Sequence, residues 1–346
     1  MAKLEMTYSR VKTFLECPMK EYFSYRVNGV GITIREPYVP FIAGEMLHYA
    51  LSKFHDPNCQ MMLKENMIKR VNKIIDSFGP MDSDLLDKLQ TDMYGMIGAC
   101  LGYKERYATD KTKYETLFVE KEFTFDLHGF TWRGKLDWVV RNMDKKLMFV
   151  EEKSTSESSD SLANKYSVLP LDLQGLIYTK GVEAVTGEMP ELMCWDFILK
   201  TKLRRKGDIE KGNLETLPDF AERVKMQYLE EPEKKFFRTP PLLVQKQMVE
   251  NVNKQLGFVA NRIACEVPHM SFDCLGMYGT PCKFAPACTA KLKNHKDGWD
   301  AGECLGIYKV KEAQHEELDA KPKDEEVTET VTETKEVKNA KKAKKQ

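Results

Sequence analysis

The chain has 346 residues, enough to bury a sizeable core in one domain with insertions or in two subdomains. Its 53 Lys and Arg match 53 Asp and Glu, so no global basic field announces a polyanionic partner, and only local patches remain. A polar start, the lack of a long apolar run and the lack of a G-x-x-x-x-G-K-[ST] loop exclude a membrane protein and an ATP-driven motor.

Tyr8 to Arg26 (YSRVKTFLECPMKEYFSYR) patterns as an amphipathic helix, with Ser9 as its cap and Val11, Phe14, Leu15, Tyr22 and Phe23 on its apolar side. Pro18 predicts a kink or restart, and Cys17 beside it reads as a small buried hydrophobe. A second helix carries GEMLHYAL (Gly44 to Leu51), with Leu47, Leu51 and Phe54 as a core stripe. His48 in that helix is either a packing residue or an imidazole ligand, and Gly44 one turn earlier leaves room for a close approach. Residues 58–108 pattern as one or two amphipathic helices, expected to form a helical insert over the site.

Strands follow. Thr116 to Leu127 predicts one, joined across His128–Gly129 to a second at Phe130 to Arg141. In the second, Phe130, Trp132, Leu136, Trp138 and Val140 share one face, while Arg133, Lys135 and Asp137 share the other. After the polar turn NMDKK (142–146), Leu147 to Lys153 predicts a third strand. There Glu151 and Lys153 share a face, roughly 6.5–7 Å apart, and Glu152 points away. A hairpin between these strands brings Asp137 close to Glu151.

The Ser-rich stretch 154–169 is expected as a loop beside Lys153. A helix is expected from near Pro170, placing Gln174 and Tyr178 on one face. Leu192 to Leu199 predicts another strand, followed by the basic run KTKLRRKG (Lys200 to Gly207), which is either a solvated loop or a set of phosphate contacts. Residues 216–265 read as helices broken at Pro232 and Pro240–Pro241, with Arg238 a further candidate for phosphate. From residue 311 to 346 the composition becomes that of a disordered charged tail, a place for a protein partner.

The chemistry sits in the D…ExK set. Two carboxylates, Asp137 and Glu151, can hold Mg²⁺ or Mn²⁺ through oxygen ligands, and the Glu152 carbonyl can add a neutral one. Lys153 can position water or stabilise charge on a phosphate undergoing cleavage. The alternative is a surface hairpin with a Glu–Lys ion pair. Nine cysteines without a secretory signal point to a reducing, cytoplasmic compartment. Cys59, Cys100, Cys194 and Cys265 are scattered and read as structural. Cys274, Cys282 and Cys288 lie in a Gly- and Pro-containing loop, with seven and five residues between them. That spacing suits metal or cluster ligation and leaves zinc and iron–sulfur both open, although zinc favours closer pairs.

Taken in order, these segments resemble the PD-(D/E)XK nuclease superfamily, specifically its RecB-like exonuclease branch with an iron–sulfur cluster, of the phage or CRISPR-associated type. The resemblance spans roughly residues 8–290 and rests on the amino-terminal Ser and Cys-Pro helix, Gly44 to His48, the D…ExK strands, QGLIY (Gln174 to Tyr178) and the Cys274 to Cys288 segment. It implies an α/β, restriction-endonuclease-like core with a mixed central sheet flanked by helices, in one nuclease domain over residues 1–310. It implies His48 as a further metal ligand that makes Mn²⁺ an alternative to Mg²⁺, and Gln174 and Tyr178 as residues that organise the site. It implies Cys17 as the fourth thiolate of a [4Fe–4S] cluster with Cys274, Cys282 and Cys288, in a region of residues 266–292 plus Cys17. The implied activity is metal-dependent exonucleolytic hydrolysis of DNA from single-stranded ends, in recombination, repair or replication, with a strand-threading homo-oligomer compatible with it. The rival readings are a catalytically idle DNA-binding scaffold, and a structure-specific endonuclease or RNase.

Overall fold

The computed structural model describes residues 4–35, 39–59, 63–77, 82–207, 212–271, 274, 281–293, 298–300, 304–315 and 318. The chain begins with β1 (Glu5–Met6), α1 (Tyr8–Glu16), α2 (Pro18–Tyr25), β2 (Ile32–Ile34), α3 (Val39–His55), α4 (Leu63–Ser77), α5 (Ser83–Arg106) and the single turn α6 (Asp110–Lys113). Three long strands follow, β3 (Glu115–Leu127), β4 (Phe130–Arg141) and β5 (Leu147–Thr155). Then come α7 (Ser159–Lys165), α8 (Leu173–Thr186), β6 (Leu192–Leu199), α9 (Leu217–Glu230), β7 (Phe236–Arg238), β8 (Leu242–Leu243), α10 (Lys246–Cys265), α11 (Ala285–Leu292) and β9 (Tyr308–Val310).

Seven of these strands form one mixed sheet. β3 pairs antiparallel along β4, whose other edge takes β1 near its start and β5 near its end. β5 continues parallel to β6, and the far edge of β6 takes β7 and β8. Because β5 lies between two partners and under helices on both faces, Leu147 to Val150 is a buried run without alternation. One layer packs Val11 and Phe14 of α1, Ile177 of α8 and Leu256 of α10 onto Trp132, Phe149 and Trp195. The opposite layer packs Leu47 of α3, Met93 and Ile97 of α5 and Val224 of α9 onto Ile198. A third cluster joins Phe23 of α2 to Phe284, Cys288 and Tyr308. The result is an α/β architecture with helices on both sides of a mixed sheet, consistent with a restriction-endonuclease-like core.

Several boundaries differ from the sequence reading. Thr7, not Ser9, caps α1, its hydroxyl accepting from the Arg10 N–H at 3.1 Å. The break at Pro18 is real: Cys17 is extended, and Pro18 opens α2, where its missing N–H costs nothing. Residues 154–169 are not a plain loop. β5 runs to Thr155, Ser158 caps α7, and a 3-10 turn spans Tyr166–Leu171. Pro170 lies in that turn, so α8 starts later, at Leu173, with Asp172 accepting from the N–H groups of Gln174 and Gly175. Between Pro232 and α10, two short strands stand where helix was expected, since Phe236 to Arg238 pairs with Asp196 to Ile198. Residues 311–315, read as the start of a tail, are tied down: Lys311 N–H donates to Gly31 O, Gln314 Nε2 to Tyr25 O, and His315 is buried. Beyond residue 315, apart from Leu318, the tail reading lies outside the described residues. No helix among the described residues is long and apolar enough to cross a membrane.

Candidate active site

The site opens where one strand ladder stops. β4 and β5 pair from Arg141↔Leu147 to Trp138↔Val150, and the next residues on each strand are Asp137 and Glu151. Past that point the Glu152 N–H donates to the Asp137 carboxylate (Oδ2) at 2.9 Å instead of to a ladder carbonyl. β5 stays in place because its other edge remains paired with β6 through Thr155↔Leu199. A hairpin register and an interrupted ladder thus bring the two carboxylates together, as the alternation predicts.

Both carboxylates are buried, Asp137 at 7% and Glu151 at 2% exposure. Glu151 Oε1 accepts from Lys153 Nζ and from Gln174 Nε2, each at 2.5 Å. Glu151 Oε2 is buried with no hydrogen-bond partner. Gln174 reaches this carboxylate because α8 lies close on the sheet: a Cβ on Gly175 would come within 2.8 Å of the Trp195 ring. Tyr178, one turn further, hydrogen-bonds Gln174 and packs edge-on against Phe123 at 5.4 Å.

His48 projects from α3 with Nδ1 3.2 Å from Asp137 Oδ1 and 3.8 Å from Glu120 Oε1. The donor atoms of His48, Glu120 and Asp137 lie within 4.8 Å of one another, so these three residues can hold a divalent cation. Gly44 keeps this approach open, since its nearest neighbour for an added Cβ is Ser154 Oγ at 4.0 Å. Glu120, with its second oxygen 2.5 Å from Lys135 Nζ, was not anticipated from the sequence. It sits on β3 past a register shift between Thr116 and Phe118 and adopts a positive φ of 49°, uncommon for a residue with a side chain. The only advance signal was an acidic residue inside a strand-like run.

The electrostatics favour a cation. Burial and then the neighbouring Asp137 push the Glu151 carboxyl up to about 8, with Lys153 opposing. Asp137 is held below its ordinary range: burial opposes ionisation, but His48, Lys153 and the Glu152 N–H outweigh it. Lys153 is raised despite burial, because Glu151 and Asp137 hold it charged. His48 is raised by Asp137 and Glu120 against burial. Tyr8 is pushed up to about 12 by burial and then by Asp172, and it also feels the charges of Lys153 and Glu151. Asp137, Glu120 and the His48 imidazole are a donor set that fits Mg²⁺ or Mn²⁺, with Glu151 outside that group and one of its oxygens buried without a partner.

Other candidates lie apart. The Glu152 carboxyl turns to the opposite layer, 2.9 Å from His55 Nε2, so only its backbone remains beside the site. Arg238 is not a phosphate contact: it is enclosed by Asp196 at 2.6 Å and Asp110 at 2.7 Å, and lies over the Tyr107 ring. In the basic run, Arg205 is likewise engaged, by Asp87 at 2.8 Å. Around Cys17, hydrogen bonds from Ser271, Lys20 and Met19 lower the thiol against burial. Cys288 is pushed up to about 12 by burial and then by Cys274, Cys282 and Cys17, so the four sulfurs share one neighbourhood.

A fold and site of this kind define a metal-dependent nuclease, a hydrolase of nucleic-acid phosphodiesters. The match to the PD-(D/E)XK nuclease superfamily runs over residues 5–289, and the chain belongs to that superfamily. No curated protein matches the chain. Among solved structures, the crystal structure of SSO0001 matches with 14% identity and a TM-score of 0.23, covering 49% of this chain and 87% of that one. A likeness that low adds nothing to the assignment.

Proposed function

We propose that the protein is a metal-dependent DNA exonuclease that hydrolyses phosphodiester bonds from single-stranded ends. The observation that carries the reading is the Asp137–Glu151 pair, with Lys153 and Gln174 on one Glu151 oxygen and the other oxygen buried without a partner. Asp137, Glu151 and His48, with the Glu152 carbonyl and Glu120, would hold Mg²⁺ or Mn²⁺. A bound cation supplies Lewis acidity to the scissile phosphate and lowers the pKa of its water. Lys153, kept charged by its neighbours, stabilises negative charge gathering on the phosphate and orients the attacking water. Gln174 fixes the Glu151 carboxylate, and Tyr178 steadies Gln174.

Cys17, Cys274, Cys282 and Cys288 are assigned to a [4Fe–4S] cluster. The lowered Cys17 thiol and the mutual influence of the four sulfurs support this. The domain reading is one nuclease unit over residues 1–310, elaborated by helices in 58–108 and closed by 266–292 with Cys17. Exonucleolytic action, single-stranded ends and a place in recombination, repair or replication rest on the resemblance to RecB-like enzymes. The thiolate cluster fits a reducing compartment.

The test is a Mn²⁺-dependent assay on end-labelled single strands, comparing wild type with Asp137→Ala and Lys153→Ala. Progressive shortening from an end, lost in both variants, is expected. Cleavage of closed circular single strands or of RNA would reassign the enzyme as an endonuclease or RNase, and no cleavage at all would favour the idle scaffold. For the cluster, visible absorbance with iron and sulfide analysis decides, and zinc alone would overturn it.

A further inference from the structure

Past the ends of the parallel strands β5 and β6 lies a cleft of about 480 Å³. Its wall brings together Ser156, Ser158, Lys200, Lys202, Lys234 and Lys235 from three separate segments. The backbone fixes two of the lysines to the strand ends. Lys200 N–H donates to Thr155 O at 2.6 Å, and Leu199 N–H donates to Lys235 O at 2.9 Å. Lys200, Lys202 and Lys235 make no ion pair among the described residues, whereas Lys234 is paired with Glu231 at 2.7 Å. Of the acids in the wall, Glu157 is engaged by Lys165 at 2.6 Å, which leaves exposed Asp160 as the counter-charge. Lys235 is pushed down by burial and, against Glu231, by the like charges of Lys202 and Lys234. Lys202, Lys234 and Lys235 lie close enough for their like charges to act on Lys235, whose Nζ also lies 5.4 Å from the Tyr228 ring centre, and an anion placed among them relieves that repulsion.

The location identifies the anion. Ser156 lies three residues beyond Lys153, on the continuation of the strand that carries the site, roughly 10 Å away. That distance is about three nucleotides of a stacked strand. We propose that the cleft binds backbone phosphates of the nucleic-acid strand about three nucleotides from the bond cut at Asp137 and Glu151, an inference that rests on the nuclease reading above. Lysine and serine contacts of this kind grip phosphate without reading bases, and so hold any sequence. The basic run Lys200 to Gly207 therefore divides: Arg205 braces the fold through Asp87, and Lys200 and Lys202 face the strand.

The experiment measures binding of a short fluorescein-labelled oligothymidylate to the full chain across a salt series, in buffer without divalent cations. Lys202→Gln/Lys235→Gln keeps the side-chain stems and removes two charges. It is expected to weaken binding roughly tenfold or more and to reduce the salt slope by about 1.4. Asp137→Ala, measured in parallel, should keep the wild-type slope while losing cleavage, which separates the cleft from the chemistry. A double variant with wild-type affinity and slope, and a wild-type melting curve, overturns the proposal. So does an equal loss of slope in Lys113→Gln/Lys146→Gln, whose charges lie toward the opposite end of the β3–β5 strands. If wild type cleaves nothing yet the slope falls only in the cleft variant, the phosphate site stands and the nuclease reading fails.

Discussion

Glu151 and Glu152 are consecutive residues of β5, both almost fully buried, and burial raises both carboxyls above their ordinary range. What surrounds them differs. Glu151 faces Asp137, Lys153 and Gln174 and leaves one oxygen without a partner. Glu152 faces His55, which stacks on Trp138 at 3.7 Å and is held well below its ordinary pKa by burial, Arg238 and Lys111. Burial thus disfavours the charged form of both the acid and the imidazole there. Beside them Tyr103 donates to Asp196 at 2.7 Å, and Arg238 joins Asp196 to Asp110. One face of the strand gathers a second carboxylate, an ammonium group and a carboxamide around its acid; the other closes its acid in with an imidazole stacked on an indole, and there too Glu152 Oε1 and Asp196 Oδ1 lack a hydrogen-bond partner. Neither burial nor an unpartnered oxygen marks a functional carboxylate by itself; what sets Glu151 apart is its setting beside Asp137, Lys153 and Gln174.

The comparison can be broken in four ways. Asp137→Ala or Lys153→Ala should lower kcat/KM about a thousandfold or more. Wild-type turnover in either would move the site elsewhere. On the opposite face, Arg238→Ala should cost about 3–5 kcal/mol of stability, since it strands Asp196 and Asp110 as buried unpaired charges. Chemical denaturation reads this directly, and a loss within error would mean the network is not the brace described. Glu120→Gln should weaken Mn²⁺ binding about 10- to 100-fold by calorimetry, and an unchanged affinity would leave His48 and Asp137 without this third donor. The smallest effect is a pH dependence. Glu151 titrates at about 8, so below that pH a cation must displace its proton, whereas Asp137 is already ionised. Metal affinity should then rise with pH by up to about tenfold per unit toward 8 and flatten above it. Glu151→Gln should bind weakly with a shallower rise, left by the His48 proton that a cation must still displace, and a flat wild-type profile between pH 6 and 8 would contradict the shift.

Much of this was legible in the residues because strands write their faces into the sequence. The bounds of β4 and β6 were read as they stand, and Asp137, Glu151 and Lys153 meet as the hairpin alternation requires. Gln174 followed from helical spacing and from family likeness. Glu120 was not legible, because a register shift and a left-handed residue redirect a side chain that regular alternation would place otherwise. Arg238 was misjudged for a related reason. Its partners Asp110 and Asp196 lie 128 and 42 positions away, and no local pattern reveals that two distant segments neutralise one guanidinium. The Ser-rich composition of 154–169 concealed α7, since serine serves as readily to cap a short helix as to fill a loop.

The small pairing of β2 with β9 sets a schedule. Ile32 meets Val310 and Thr33 meets Lys309, so the first strand of that pair has no partner until almost the whole described chain has been made. During synthesis from the amino terminus, the central sheet can assemble first, its last strand ending at Leu243. Phe23 and Ile32, fully buried in the finished fold, must wait uncovered for Phe284 and Tyr308. The cysteine-bearing closure therefore cannot form until Tyr308 has been made, and a chain halted before it leaves Phe23 and Ile32 uncovered.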